Sequence, residues 1–256
     1  MLDSSPRFVG EGRVRRVTLV EYEGRTLAIK ELKGRENFRL HRLEVVTMDV
    51  VRGNPNVVQM LGMCNTTVVT EAFAMDIQSA IKKRTGTLPV RSAVSMSLDS
   101  ARGLQALHEA SIVHYDIKPA QMLVTDDGVD GGELRVKLND FNVVFFMSSM
   151  PDGTPCPFTV PGALQLGPWR TPEEVPCRSP MTEKVDIYRM GMVFKKYLAN
   201  GGVHFLGHDG GTSDFDSTEH IKYNTVVHDM IEEDPDRRPS ARQVVDRLEE
   251  ILQDLP

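Results

Sequence analysis

Between Arg16 and Leu32 the apolar and β-branched positions fall into two short runs, Val17 and Leu19 in the first, Ala28 and Ile29 in the second, on either side of Glu23-Gly24. Two such runs around a turn pair predict a β-hairpin. Leu40, Leu43, Val46 and Val50 then recur at intervals of three and four, which predicts a helix of roughly four turns. It ends before Gly53-Asn54-Pro55, because neither glycine nor a residue preceding proline sustains a helix. Val57 to Met63 and Thr66 to Glu71 read as short strands, so the first part of the chain is a small β-rich lobe carrying one helix.

Beyond Phe73 helical spacing dominates. Val94, Leu98, Ala101, Leu104 and Leu107 make one apolar stripe; Ile187, Met190, Gly191, Phe194 and Tyr197 make a second; Val244, Val245, Leu248, Ile251 and Leu252 make a third. Each stripe predicts a helix buried along one face, and Pro239-Ser240 supplies the third with a cap. Strand-like pieces at Met122 to Thr125 and Leu134 to Leu138 interrupt the helices, separated by Asp126-Asp127-Gly128 and Gly131-Gly132. The stretch from Phe145 to Val175 is proline-rich and nearly aperiodic, which predicts a long loop. The expected class is α+β, one domain over residues 1–256, with a β-rich N-lobe at about 8–73 and a mainly helical C-lobe at about 74–253.

Composition narrows the function. The 256 residues are 40% hydrophobic and 26% charged, enough for a sizeable core and unlike a disordered or disulfide-stapled chain. Thirty Lys and Arg against 36 Asp and Glu leave a net charge of −6, and no basic run offers a footprint for a phosphate backbone, so nucleic acid is not expected as a partner. Cys64, Cys156 and Cys177 form no C-x-x-C pair, which fits neither a zinc knuckle nor a disulfide framework and suits a reducing compartment. The densest apolar stretch, Phe141 to Met147, is seven residues long, far short of the roughly 18 that span a membrane. The N-terminus lacks the features of a signal peptide. A cytoplasmic location is expected, whether the chain stands alone or belongs to a longer protein. The run Asp126 to Asp130 lacks the spacing of a calcium loop and reads as a solvated turn, and the other histidines are given no metal role.

Short patterns that carry chemistry follow one another along this frame. Gly10-Glu11-Gly12 precedes Val17, and Leu27-Ala28-Ile29-Lys30 lies on the second predicted strand. Glu44 sits on the helix before Asn54-Pro55-Asn56-Val57-Val58, and Val69-Thr70-Glu71-Ala72-Phe73 ends the small lobe. Then come His114-Tyr115-Asp116-Ile117-Lys118-Pro119-Ala120-Gln121, Asp140-Phe141-Asn142, Thr171-Pro172-Glu173, Asp186 to Gly191 and Asp236 to Ser240. Singly each is weak: a lone strand lysine is usually solvated, and a glycine pair is usually a turn. In this order and at this spacing, from about Phe8 to Leu252, the chain resembles a eukaryotic-type protein kinase.

The resemblance implies a bilobal fold that uses ATP and Mg²⁺ to phosphorylate serine or threonine in a protein substrate. It makes Gly10, Gly12 and Val17 the phosphate-covering loop, Ala28, Thr70, Glu71, Phe73 and Leu123 the nucleotide pocket, and Lys30 the phosphate-binding lysine steadied by Glu44. Asp116 becomes the residue that accepts the substrate proton, Lys118 its cationic helper, and Gln121 and Asp140 the metal ligands. Arg238 is implied to pair with Glu173, while Phe141, His114 and Met48 are core residues and Asp186 is architectural. Four positions near the phosphates depart from the family pattern: Arg15 for the third glycine, Tyr115 for arginine, Gln121 for asparagine and Asn142 for glycine. Gln165 to Pro168 lacks the Gly-Thr pair that positions a peptide. These departures keep a second reading open, a pseudokinase acting as a nucleotide-binding or scaffolding module. A kinase-fold enzyme for small molecules is disfavoured by Pro172-Glu173 and the Asp236 to Ser240 segment.

Overall fold

A computed structural model describes residues 5–84, 88–125, 134–150, 152–153, 156–159, 169–174, 180–199 and 217–255. In the first lobe β1 (Arg7–Glu11), β2 (Arg15–Tyr22), β3 (Arg25–Leu32), β4 (Met60–Cys64) and β5 (Thr67–Glu71) form an antiparallel sheet in the order β1-β2-β3-β5-β4. The β2–β3 hairpin closes at Tyr22↔Arg25. Glu23 and Gly24 turn it with φ of 50° and 69°, the two successive left-handed residues of the turn whose twist matches that of paired strands.

Helix α1 (Phe38–Val50) follows β3. Its buried residues are His41, Glu44, Thr47 and Met48, whereas Val46 and Val50 are 46% and 52% exposed. The apolar spacing identified the helix; polar partners chose the face it buries. The strand expected from Val57 begins only at Met60. Val57 instead bridges Leu138 in parallel, the Val58 amide donates to the Leu138 carbonyl at 2.9 Å, and the Leu138 amide donates to the Asn56 carbonyl at 2.9 Å. This segment is drawn to the second lobe because Val57 and Val58 are almost wholly buried there, and unpaired amides at that depth would be costly.

In the second lobe β6 (Met75–Asp76) leads into α2 (Ile77–Lys83), capped by the Asp76 carboxylate on the Ser79 amide at 2.7 Å. Helix α3 (Val90–Glu109) precedes β7 (Ile112–Val113), β8 (Met122–Val124), β9 (Val136–Leu138) and β10 (Phe145–Phe146). Strands β6-β8-β9 form one small sheet and β7-β10 another. The pairing of Phe145 with Val113 gives the start of the expected long loop a strand. Helices α4 (Lys184–Tyr197), α5 (Thr218–Met230) and α6 (Ala241–Asp254) complete the lobe. Ser240 and Gln243 cap α6 reciprocally, the box that satisfies two amides otherwise left bare.

The stripes on α3 and α4 are buried as expected, and Leu252 is the one partly exposed member on α6. Helix α5 is not among the elements expected above, although Tyr223, Val226, Val227 and Met230 recur at helical spacing and are buried. One core runs from Met48 and Val68 in the first lobe to Leu248 and Ile251 in the last helix. Two glycines in it sit where a side chain would not fit. A Cβ on Gly103 of α3 would meet the Asn56 carbonyl at 2.5 Å, and one on Gly191 of α4 would meet Met230 Cβ at 2.7 Å. The turns at Asp126 to Asp130 and Gly131-Gly132, with Cys177 and Gln165 to Pro168, lie outside the described residues.

Candidate active site

A cleft of about 710 Å³ separates the lobes, within the range of small-molecule sites. Gly10, Gly12, Val17, Ala28 and Lys30 line it from β1 to β3. Thr70, Glu71 and Phe73 enter from the end of β5 and the segment after it, and Leu123 from β8. Thr70 is fully buried, its hydroxyl donating to the Glu71 carbonyl at 2.9 Å. The Glu71 carboxylate accepts from the Lys137 amine at 2.8 Å and from the Gln59 backbone N–H at 2.8 Å, and the first of these ties the end of β5 to β9.

At the inner end Lys30 Nζ lies 3.4 Å from Glu44 Oε1 and donates to Asn139 Oδ1 at 2.8 Å. Glu44 has a closer partner in Arg15, with Nε at 2.9 Å and Nη2 at 2.5 Å from Oε2. Burial pushes the Glu44 carboxyl up, yet the charges of Lys30 and Arg15 outweigh it and leave the pKa below the usual range. Arg15, which stands where the family pattern has a third glycine, borders the cleft but is buried and directed at α1 through these bonds. His41 shares the cluster, with Nδ1 2.8 Å from Arg15 Nη2 and Nε2 3.1 Å from the Asn65 carbonyl. Arginine can only donate and a carbonyl can only accept, so this ring is neutral with its proton on Nε2. Burial, and then the Arg15 charge, lower its pKa.

The opposite wall carries Asp116 and Asp140. Lys118 Nζ donates to Asp116 Oδ2 at 2.7 Å. The Gln121 amide donates to Asp116 Oδ2 at 3.2 Å and to Asp140 Oδ2 at 3.0 Å, and the Asn142 amide to Asp140 Oδ1 at 2.5 Å. Burial, and next the charge of Glu44, raise the Asp140 pKa, so this carboxylate sits where a cation would relieve it. The extra methylene of Gln121 does not keep it from the site, and turning its amide would present an oxygen beside Asp140. A carboxylate and an amide oxygen are donors that Mg²⁺ accepts, and the residues fit such an ion.

Asparagine visits left-handed backbone more readily than most residues, which makes Asn142 a mild replacement for glycine on steric grounds. In the structure φ is positive at Asp140 (68°) and at Tyr115 (60°), not at Asn142. Its side chain, rather than its backbone, does the work, through the bond to Asp140. Backbone of this kind persists only where its surroundings over-determine it. At Tyr115 they do so: Asp186 accepts the His114 and Tyr115 amides at 2.7 and 2.8 Å and His108 Nε2 at 3.1 Å, while Arg189 donates to the Tyr115 carbonyl. The Tyr115 hydroxyl donates to Glu174 at 2.8 Å, Arg189 pairs with the same carboxylate at 2.7 Å, and its guanidinium lies 4.4 Å from the Tyr115 ring centre. Burial, then Glu174, push the phenol up to about 12, which keeps the hydroxyl a donor at neutral pH. Phe145 and Phe158 pack on the ring with centroids at 5.0 and 5.9 Å.

Arg238 meets Glu173 through two bonds of 2.7 and 2.9 Å, Phe141 and Met48 are buried, and His114 packs edge-on against Phe141. Sequence reasoning did not find the Arg15–His41–Glu44 cluster or Asn139. An arginine where a glycine is expected, facing a glutamate and a histidine three residues apart on one helix face, was the available signal.

The sequence model of the protein kinase domain matches residues 4–248. The chain is 26% identical over 269 residues to the probable serine/threonine-protein kinase drkA of Dictyostelium discoideum, covering 95% of this chain and 39% of that protein. It is 26% identical over 274 residues to a probable serine/threonine-protein kinase of Clostridium perfringens, covering 96% and 36%. It is 32% identical over 251 residues to the human serine/threonine-protein kinase/endoribonuclease IRE2, covering 88% and 26%. The chain thus spans well under half the length of these relatives. No helix among the described residues is long and apolar enough to cross a membrane. With a β-sheet lobe, a helical lobe, a cleft between them and a family match through almost the whole sequence, the chain belongs to the protein kinase domain family.

Proposed function

We propose that this chain transfers the γ-phosphoryl group of ATP to serine or threonine hydroxyls of a protein substrate. The observation that carries the reading is the convergence of Lys30, Asp116, Lys118, Gln121 and Asp140 on one end of the cleft. Such a site works by positioning and electrostatics. Lys30 holds nucleotide phosphates against the Glu44 side of the cleft. Asp116 orients the incoming hydroxyl and takes its proton, and Lys118, 2.7 Å away, neutralises charge on the transferring group. Asp140 and Gln121 are the residues to hold Mg²⁺, which when bound shields the phosphate oxygens. Lysine two positions after Asp116, together with relatives named serine/threonine kinases, supports the serine/threonine class. Free thiols at Cys64 and Cys156 are in keeping with a cytoplasmic, reducing location.

A second reading, a kinase-fold module that binds nucleotide or partners without transfer, draws on the Gln121 amide that engages Asp116 and Asp140 together. The two are separated by supplying purified chain with labelled ATP, Mg²⁺ and generic protein and small-molecule acceptors. The kinase reading expects label on serine or threonine of the protein acceptor and none with Asp116→Ala. Nucleotide binding without transfer would favour the module.

A further inference from the structure

Every N–H of the Arg15 guanidinium is used. Nε and Nη2 reach Glu44 Oε2, Nη2 also reaches His41 Nδ1, and Nη1 reaches the Lys30 carbonyl at 3.4 Å and the Thr66 carbonyl at 3.2 Å. His41 extends the network to the Asn65 carbonyl in the β4–β5 turn. One side chain on β2 therefore bonds β3, α1 and the far hairpin of the sheet. The Arg15 and Glu44 side chains are 8% and 2% exposed, so little water competes for these bonds. Lys30, by contrast, gives Glu44 one long contact and directs its short bond to Asn139.

We propose that Arg15 is a positioning residue that fixes Glu44, and with it α1, against the sheet independently of Lys30. Glu44 then needs no ion pair with Lys30 to stay in place. Its Oε1 still faces the lysine and keeps that amine at the inner end of the cleft, where phosphates are held under the kinase reading on which this consequence rests. The planar fork is what the geometry requires: lysine would match the charge but could not reach Glu44, His41 and two carbonyls at once. An alternative is that Arg15 is only a lost glycine, a residue that stiffens the phosphate loop and does nothing else. The two predict opposite results for Arg15→Gly.

Amide hydrogen exchange across α1 tests the anchoring without reference to activity, with α6 as an internal control for global folding. Arg15→Lys, which keeps the charge and an aliphatic stem, is expected to speed exchange across residues 38–50 by about tenfold or more, as befits the loss of a charge-assisted hydrogen bond. Exchange in α6 should be unchanged, and Lys30→Met should leave α1 protected. Protection of α1 in Arg15→Lys equal to the parent, or α1 loosened as much by Lys30→Met, overturns the proposal. In steady-state assays Arg15→Gly, which restores the family residue, is expected to lower kcat several-fold with a smaller change in the KM for ATP. A rise in kcat would show that the arginine hinders the loop and would also overturn it. If the parent transfers no phosphate, the kinase reading falls, and the exchange data alone decide the role of Arg15.

Discussion

Helix α1 turns His41, Glu44, Thr47 and Met48 inward and leaves Val46 and Val50 exposed, whereas α4 buries Ile187, Met190, Val193 and Phe194 completely and adds Asp186 and Arg189 to the same buried side. The first helix joins a charge cluster to the apolar contacts of Leu43, Val45 and Met48. The second is attached through apolar packing, which frees its polar residues to hold the loop that carries Asp116. The difference matters because the two attachments fail differently. A buried charge that loses its partner is strongly destabilising, so α1 depends on charge state and on one guanidinium. An apolar interface at close-packed density answers instead to volume, so α4 depends on the absence of a side chain at Gly191. One helix is thus secured by directional bonds as well as packing, and the other mainly by shape.

The comparison is tested most severely by Lys30→Met. Transfer is expected to fall by roughly 10²-fold or more, the usual scale for losing a preorganised charge at the reacting group. The thermal midpoint should stay near that of the parent, because Arg15 still neutralises Glu44. Initial rates with a parallel melting curve decide it; unchanged turnover would remove Lys30 from the site.

Gly191→Ala should behave in the reverse manner. The added methyl meets Met230 and Ile231 at 2.7 and 2.8 Å, and overpacking of this kind costs about 1–3 kcal/mol. Val46→Ala, on the exposed side of α1, should stay within about 0.5 kcal/mol. Urea titrations of both variants check this, and equal midpoints would break the contrast between the helices.

Smaller still is the response to phosphatase. Tyr115 occupies the place of an arginine that would grip a phosphorylated loop residue, and its phenol is already committed to Glu174, Phe145 and Phe158. A neutral ring offers a phosphate no bidentate charge. Loss of phosphate from Ser148, Ser149, Thr154 or Thr159 is therefore expected to change activity less than severalfold. A large loss mapped to one of these residues would show another basic group in that role.

The smallest effect concerns mild acid. The folded state holds His41 neutral, with its pKa below the usual value, while the unfolded chain takes up that proton near pH 6.5. The unfolded state thus binds more protons, and stability falls as pH drops through that value. His41→Gln should flatten this part of the slope in urea midpoints taken at about pH 7.5 and about pH 5.5, and identical slopes in parent and variant would refute it.

Hydrophobic spacing alone determined the hairpin, the helices α1, α3, α4 and α6, and the break between a β-rich and a helical lobe, because each depends on local period and turn chemistry. The order of short motifs likewise placed Lys30, Asp116, Lys118, Gln121 and Asp140 as candidates before any contact was known. Tertiary structure decided which face of α1 is buried, since an amphipathic pattern carries no information about a guanidinium 29 residues earlier in the chain. It also drew Val57 away from β4 to Leu138, and moved the left-handed backbone to Asp140 and Tyr115, where Asp186 and Arg189 impose it on Tyr115 from 71 and 74 residues away. Local propensity is summed over neighbours in sequence; buried hydrogen-bond donors and charges must be satisfied by whatever the fold brings near, and that becomes visible only when the chain has closed on itself.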